Sequence, residues 1–276
     1  MLFIHSHSSL NEYAVIKCYG GLSMDTFNKN EGFERHFTGS RSRLVFKTSS
    51  SYQNIYVMER NRYEGRKGRF RLLQFSSDAI QGVINLEQPK CLVASYSRIT
   101  VDLINHYASD FNNGFIIGHG IGTVSTYYSN KNVLTAEIDP LVVEVSRKYF
   151  GCTGRNVEVG DGQAILKTLK ERSQDMIFLD AYSSSEIPNH LTTKEFFTLT
   201  NEKLSDTGIL ILNYIGRIKD DTQLHKLYAS ISEIYPCVKV FATNPKIISN
   251  QNIFFIASKR ILDDYSPGEA APIEIS

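Results

Sequence analysis

Four short segments, each directly after an apolar run, carry residue types that handle small polar ligands. Gly118-His119-Gly120-Ile121-Gly122-Thr123 follows Phe115-Ile116-Ile117. Glycines let the backbone close on a ligand, and a helix opening there would offer free N–H groups. The third glycine comes two residues after the second, not three, which departs from the dinucleotide fingerprint. Alone, the loop reads more readily as a tight strand-to-helix turn than as a nucleotide site. Glu137 ends the run Val133-Leu134-Thr135-Ala136, fifteen residues after Gly122. A carboxylate at that place can accept from both hydroxyls of a ribose. Asp161, between Gly160 and Gly162, follows Val157-Glu158-Val159 and could accept from an adenine amino group. Asp180 closes Met176-Ile177-Phe178-Leu179. It either orients or deprotonates a nucleophile, or caps the next turn. The first three features, at the carboxyl ends of three successive strands, favour an adenosyl ligand on one edge of a sheet.

The elements that must hold these residues follow from the patterning. Segments 115–117, 133–137, 157–159, 176–179 and 209–212 read as buried strands, with helices near 141–149, 163–171, 193–203 and 222–235 between or after them. Alternation of this kind predicts βαβ crossovers and a parallel, doubly wound sheet. Two last strands, 238–242 and 253–257, close it as an antiparallel hairpin around Asn244-Pro245. Before the alternation, 44–46, 55–57, 70–73 and 83–84 are short, branched and aromatic, as in the hairpins of a small antiparallel sheet. Leu92, Tyr96, Ile99, Leu103 and Tyr107 then repeat at helical spacing. The chain thus divides into an N-terminal extension of no assigned fold (1–42), a small β domain (43–90), a Rossmann-like catalytic domain (91–262) and a flexible tail (263–276).

Composition bounds the rest. Thirty basic and twenty-nine acidic side chains among 276 residues give a net charge of +1, so no global field advertises a nucleic-acid polymer or a membrane surface as partner. No apolar run is long enough for a helix to span a bilayer. The first residues lack a basic region followed by a long apolar core, which leads to the expectation of a cytoplasmic protein without a signal peptide. Cys18, Cys91, Cys152 and Cys237 form no CxxC pair and the seven histidines are dispersed, so no metal is expected, and the thiols read as reduced and mostly buried.

Ser51-Tyr52-Gln53-Asn54-Ile55-Tyr56-Val57, Gln81, Tyr96, the 118–123 loop, Glu137-Ile138-Asp139-Pro140, Gly160-Asp161-Gly162 and Asp180 occur in an order that resembles the spermidine synthase-like aminopropyltransferases. Ile187-Pro188-Asn189-His190-Leu191 and the residues to Phe197 look like a divergent branch of that family. The resemblance covers about residues 44–258. It implies a seven-stranded Rossmann-like S-adenosylmethionine-dependent transferase fold with a small N-terminal β domain, a homodimer, and decarboxylated S-adenosylmethionine as co-substrate. Carried over, Gln53 would contact the methionine-derived arm, Glu137 the ribose and Asp161 the adenine. Asp180 would be base or orienter, and Tyr96 would line the acceptor channel.

The departures shape the expected chemistry. Ile121 stands where the family places an acid inside the glycine loop, Ser183 where a second acid follows the catalytic Asp, and Ser97 after Tyr96 where His or Gln is usual. Arg60, Arg62, Arg66, Lys67, Arg69 and Arg71 crowd one segment with the single acid Glu64. If that segment faces the crevice, the acceptor is anionic or nucleotide-like, small or peptide-borne, as in tailoring of the aminopropylated microcin C group. The expected reaction is 3-aminopropyl or 3-amino-3-carboxypropyl transfer from decarboxylated or intact S-adenosylmethionine, leaving methylthioadenosine. An S-adenosylmethionine-dependent methyltransferase and a non-catalytic adenosyl-binding protein are the alternatives.

Overall fold

A computed structural model describes residues 42–75, 80–154, 156–182 and 186–275. The expected N-terminal extension, apart from Ser42, and Cys18 with it, lie outside the described residues.

A four-stranded antiparallel sheet comes first, β1 (Ser42–Ser49), β2 (Asn54–Tyr63), β3 (Arg66–Gln74) and β4 (Ile80–Asn85), in that order. Period-two patterning buries Ile55 and Val57 of β2, and Phe70 and Leu72 of β3. Tyr63 pairs with Arg66, leaving Glu64 and Gly65 as a two-residue turn with φ of 43° and 75°. Positive φ at both positions is the mark of a type I′ turn, whose twist suits a hairpin.

The second sheet holds β5 (Asn113–Ile117), β6 (Asn132–Glu137), β7 (Val157–Val159), β8 (Gln174–Leu179), β9 (Leu204–Gly216), β10 (Cys237–Ala242), β11 (Gln251–Ser258) and β12 (Ala271–Ile273). Their order is β12-β10-β11-β9-β8-β5-β6-β7, with β5 to β9 parallel and the rest joined antiparallel. The helices are α1 (Ser95–Tyr107), α2 (Thr123–Tyr127), α3 (Pro140–Phe150), α4 (Gly162–Thr168), α5 (Lys194–Lys203) and α6 (Thr222–Ser232). Seven strands correspond to the expected ones. The eighth corrects the reading of 263–276 as a flexible tail, because Ala271–Ile273 pairs with β10. Helix α1 begins at Ser95, so Leu92 precedes it.

Alternate residues of the parallel strands serve opposite faces. Phe115, Ile117, Ile177 and Leu179 pack against α4, α5 and α6 through Leu166, Phe196, Phe197 and Leu224. Ile116, Met176 and Phe178 meet Ile99, Leu103 and Tyr107 of α1 on the other face. A third cluster joins the two sheets: Ile55, Val57 and Leu73 pack on Ile121 of the glycine loop and on Val142, Val145 and Phe150 of α3. This contact seats the small sheet over the carboxyl edge of the large one.

That edge contains the switch point of the topology, where β5 is followed outward by β6 on one side and flanked by β8 on the other. Open α/β sheets bind ligands there. The Asp180 N–H donates to the Ile117 carbonyl at 2.9 Å, drawing the ends of β5 and β8 together. Gly118 has φ of 99°, and a Cβ on it would lie 2.2 Å from the Asp180 carbonyl oxygen. Only glycine fits that approach. Among the described residues, no helix is long and apolar enough to cross a membrane.

Candidate active site

A cleft of about 390 Å³ opens between the small sheet and the carboxyl ends of β5, β6, β7 and β8. Its volume is within the range of small-molecule sites. Gln53, Tyr96, Gly118, Gly120, Glu137, Asp161 and Asp180 all line it. Gly122 lies between the lining residues Ile121 and Thr123 and is not itself one of them. A Cβ there would lie 2.4 Å from the Cys152 sulfur, so the residue lets the loop settle on that buried thiol. Cys91 and Cys237 are free and only partly buried.

The glycine loop and Glu137 are built as one unit. Glu137 Oε2 accepts from the His119 N–H at 2.9 Å, and Oε1 from the Asp139 N–H at 3.0 Å. Each oxygen keeps a further lone pair, enough for the two hydroxyls of a ribose. Burial raises the Glu137 pKa, against the pull of those backbone donors. His119 itself is buried and its pKa is lowered to about 4, by burial first and by Arg147 second. Its Nε2 lies 2.8 Å from the Ser146 oxygen, and that hydroxyl donates to the Val143 carbonyl. The imidazole is therefore neutral, with its proton on Nε2.

Asp139 caps α3 by accepting from the Leu141 N–H at 3.0 Å, with Pro140 at the first helical position. Its other oxygen takes the Ser50 hydroxyl at 2.6 Å and the Gln53 Nε2 at 3.4 Å. Gln53 thus reaches the cleft from the small sheet while tied to α3. Asp161 is more heavily engaged than the sequence implies. Oδ1 caps α4 through the Ala164 N–H at 2.8 Å, and Oδ2 meets His190 Nε2 at 2.8 Å. An adenine amino group there would share Oδ2 with His190 or displace it.

Asp180 lies at the centre. Burial pushes its pKa up to about 6, opposed by Asn213, whose Nδ2 donates to Oδ1 at 2.9 Å. The Asn213 side-chain oxygen accepts from Asn252 at 3.0 Å, and its carbonyl accepts from the Tyr182 hydroxyl at 2.8 Å. Tyr96 donates to the Gln81 carbonyl at 3.4 Å, and its pKa is raised by burial and then by the charge of Asp180. A carboxylate poised near neutrality, beside a cavity and fixed by an amide, suits proton acceptance from an incoming nucleophile.

The condition set for the basic segment, that it face the crevice, is not met. None of Arg60, Arg62, Arg66, Lys67, Arg69 and Arg71 lines the cleft. Arg71 is spent on Glu59, at 2.6 and 3.1 Å, and on the Tyr149 carbonyl at 2.8 Å. Among the described residues, the lining holds Glu64, Glu137, Asp161 and Asp180 but no Lys or Arg. No group of three His, Cys, Asp or Glu side chains among them could hold a metal ion. Tyr63, Glu64, His190, Asn213 and Asn252 are lining residues that sequence reasoning missed. Asn213, directly after the apolar run 209–212, carried the same end-of-strand signal as Asp180.

Residues 96–266, more than half of the chain, match the family described as the Spermine/spermidine synthase domain. The chain belongs to this family. A polyamine aminopropyltransferase of Vibrio vulnificus is 31% identical over 198 residues, which are 66% of this chain and 63% of that protein. The chain thus spans less than two thirds of that relative's length. A polyamine aminopropyltransferase of Lachnospira eligens is 25% identical over 241 residues, covering 82% of this chain and 80% of the relative. Among solved structures, a probable spermidine synthase from Corynebacterium glutamicum superposes with a TM-score of 0.68 at 19% identity, over 82% of this chain and 84% of the other. Spermidine synthase from Thermotoga maritima gives 0.59 at 20%, over 79% and 74%. These two share the fold.

Proposed function

We propose that the chain is an aminopropyltransferase that alkylates an amine with the aminopropyl group of decarboxylated S-adenosylmethionine. The observation that carries the acceptor class is the cleft's charge: four carboxylates and, among the described residues, no Lys or Arg. An anionic or nucleotide-like acceptor, small or peptide-borne, would find no cation there, whereas an ammonium is attracted. The same walls disfavour the carboxylate of intact S-adenosylmethionine, despite Ile121 in place of a loop acid.

The donor supplies a sulfonium-activated carbon. The fit rests on the positive-φ glycines and on the two open lone-pair positions of the buried Glu137. The protein's work is then to hold, aim and deprotonate. Asp180 takes a proton from the acceptor amine, whose nitrogen forms the new bond to carbon as the carbon–sulfur bond breaks. Sulfur keeps that electron pair and leaves as the thioether of methylthioadenosine. Positioning dominates such a displacement, with Asn213 and Tyr96 fixing the reacting side of the cleft. Calorimetric competition tests the donor: decarboxylated S-adenosylmethionine should bind at least tenfold tighter than the intact form, and the reverse order would favour methyl transfer.

A further inference from the structure

We propose that His190 is a positioning residue for nucleobase selection: by holding one oxygen of Asp161, it turns that carboxylate to accept from the 6-amino group of an adenine. The inference rests on the reading of the cleft as the site of an adenosyl donor. Asp161 follows β7, and His190 lies in one 3-10 turn, Asn189–Leu191, between β8 and α5. Both residues line the cleft, with Gly160 and Gly162 beside the first and Pro188 and Leu191 beside the second. Ile138, an exposed apolar residue of the same lining, offers a surface that a flat base would cover.

The two oxygens of Asp161 do separate work. Oδ1 alone caps α4, through the Ala164 N–H at 2.8 Å, and a cap needs no more. Oδ2 meets His190 Nε2 at 2.8 Å, and because a carboxylate only accepts, Nε2 donates. Each carboxylate oxygen can accept twice, so Oδ2 keeps a place for an amino group. A carboxylate tied by one oxygen still swings about its second side-chain torsion, which is soft, and the tie to His190 stops that swing. The 3-10 turn is firm enough to serve. Ile187 and Leu191, on either side of His190, are buried in the core, and the Leu191 N–H donates to the Pro188 carbonyl at 2.9 Å. Among the described residues, no Lys or Arg lines the cleft to compete for Oδ2.

The test is calorimetric titration of the full chain with methylthioadenosine and with its analogue carrying hydrogen in place of the 6-amino group. The wild type should bind methylthioadenosine tighter by about tenfold or more. His190→Ala should cut that margin by about threefold or more. His190→Gln, whose Nε2 can donate from the same place, should restore it. A merely structural role would weaken both nucleosides alike and leave the margin intact. A margin unchanged or widened in His190→Ala, or absent in the wild type, overturns the proposal. Failure of the underlying activity shows separately, as no methylthioadenosine released when the wild type is incubated with decarboxylated S-adenosylmethionine and an amine.

Discussion

Asn213 Nδ2 donates to Asp180 Oδ1 at 2.9 Å, although 33 residues separate the two in the chain. Strands β8 and β9 run parallel side by side, so both side chains emerge at one edge, and Asn252 from β11 steadies Asn213 in turn. The amide holds down a carboxyl pKa that burial drives up to about 6. Asp180 is consequently ionised at neutral pH yet basic enough to take a proton.

Asp180→Asn should lower kcat by about 10²–10⁴-fold. In the wild type, kcat should rise with pH up to about 6 and then level, and the variant should lack that limb. Stability moves the other way. A folded pKa above the ordinary 3.8 means stability present below pH 3.8 and lost as pH rises through 6. Asp180→Asn should escape that loss, up to about 3 kcal/mol at pH 8. Denaturant unfolding at pH 4 and pH 8 reads it.

Asn213→Ala removes the donor that favours the ionised carboxylate. A charge-assisted hydrogen bond is worth about 1.5–3 kcal/mol, or about one to two pH units. The acid limb of the rate profile should move to higher pH by that amount. A limb that stays in place would remove Asn213 from the account.

Glu137→Ala should weaken methylthioadenosine binding at least tenfold, about 1.5–3 kcal/mol for lost charged hydrogen bonds. The variant also orphans the His119 and Asp139 N–H groups, so the loop itself loosens. Glu137→Gln keeps one acceptor oxygen and should fall between wild type and Ala. Unchanged affinity in both variants, read by calorimetry, would contradict the ribose assignment.

Ile121→Asp puts an acid into the glycine loop at a structural cost. Ile121 is buried among Ile55, Val57, Leu73 and Val145 at the junction of the two sheets, and a Cβ on Gly82 would meet it at 2.6 Å. A carboxylate there, without a partner, costs several kcal/mol. We expect a lowered melting temperature and loss of donor binding, not a change of donor preference. A stable variant with tighter binding of the decarboxylated donor would show that the site accepts the acid.

The parts legible in the sequence were those fixed by local pattern. An apolar run ending in glycine or an acid marks the carboxyl end of a buried strand, and Gly118, Glu137 and Asp180 all announce themselves that way. What escaped depends on register and on pairings distant in the chain. His190 reaches Asp161 across 29 residues, and Asn213 reaches Asp180 only because β9 lies beside β8. The basic run misled for a similar reason. Phe70 and Leu72 bury one face of β3 and Leu73 the other, Arg71 turns to Glu59, and it is the turn residue Glu64 that lines the cleft.

The most direct measurement is the nucleoside released when the chain is incubated with 1,4-diaminobutane and, separately, decarboxylated or intact S-adenosylmethionine, read by mass spectrometry. The account predicts methylthioadenosine from the decarboxylated donor, abolished in Asp180→Asn. S-adenosylhomocysteine from the intact donor, or neither nucleoside from either donor, would contradict it.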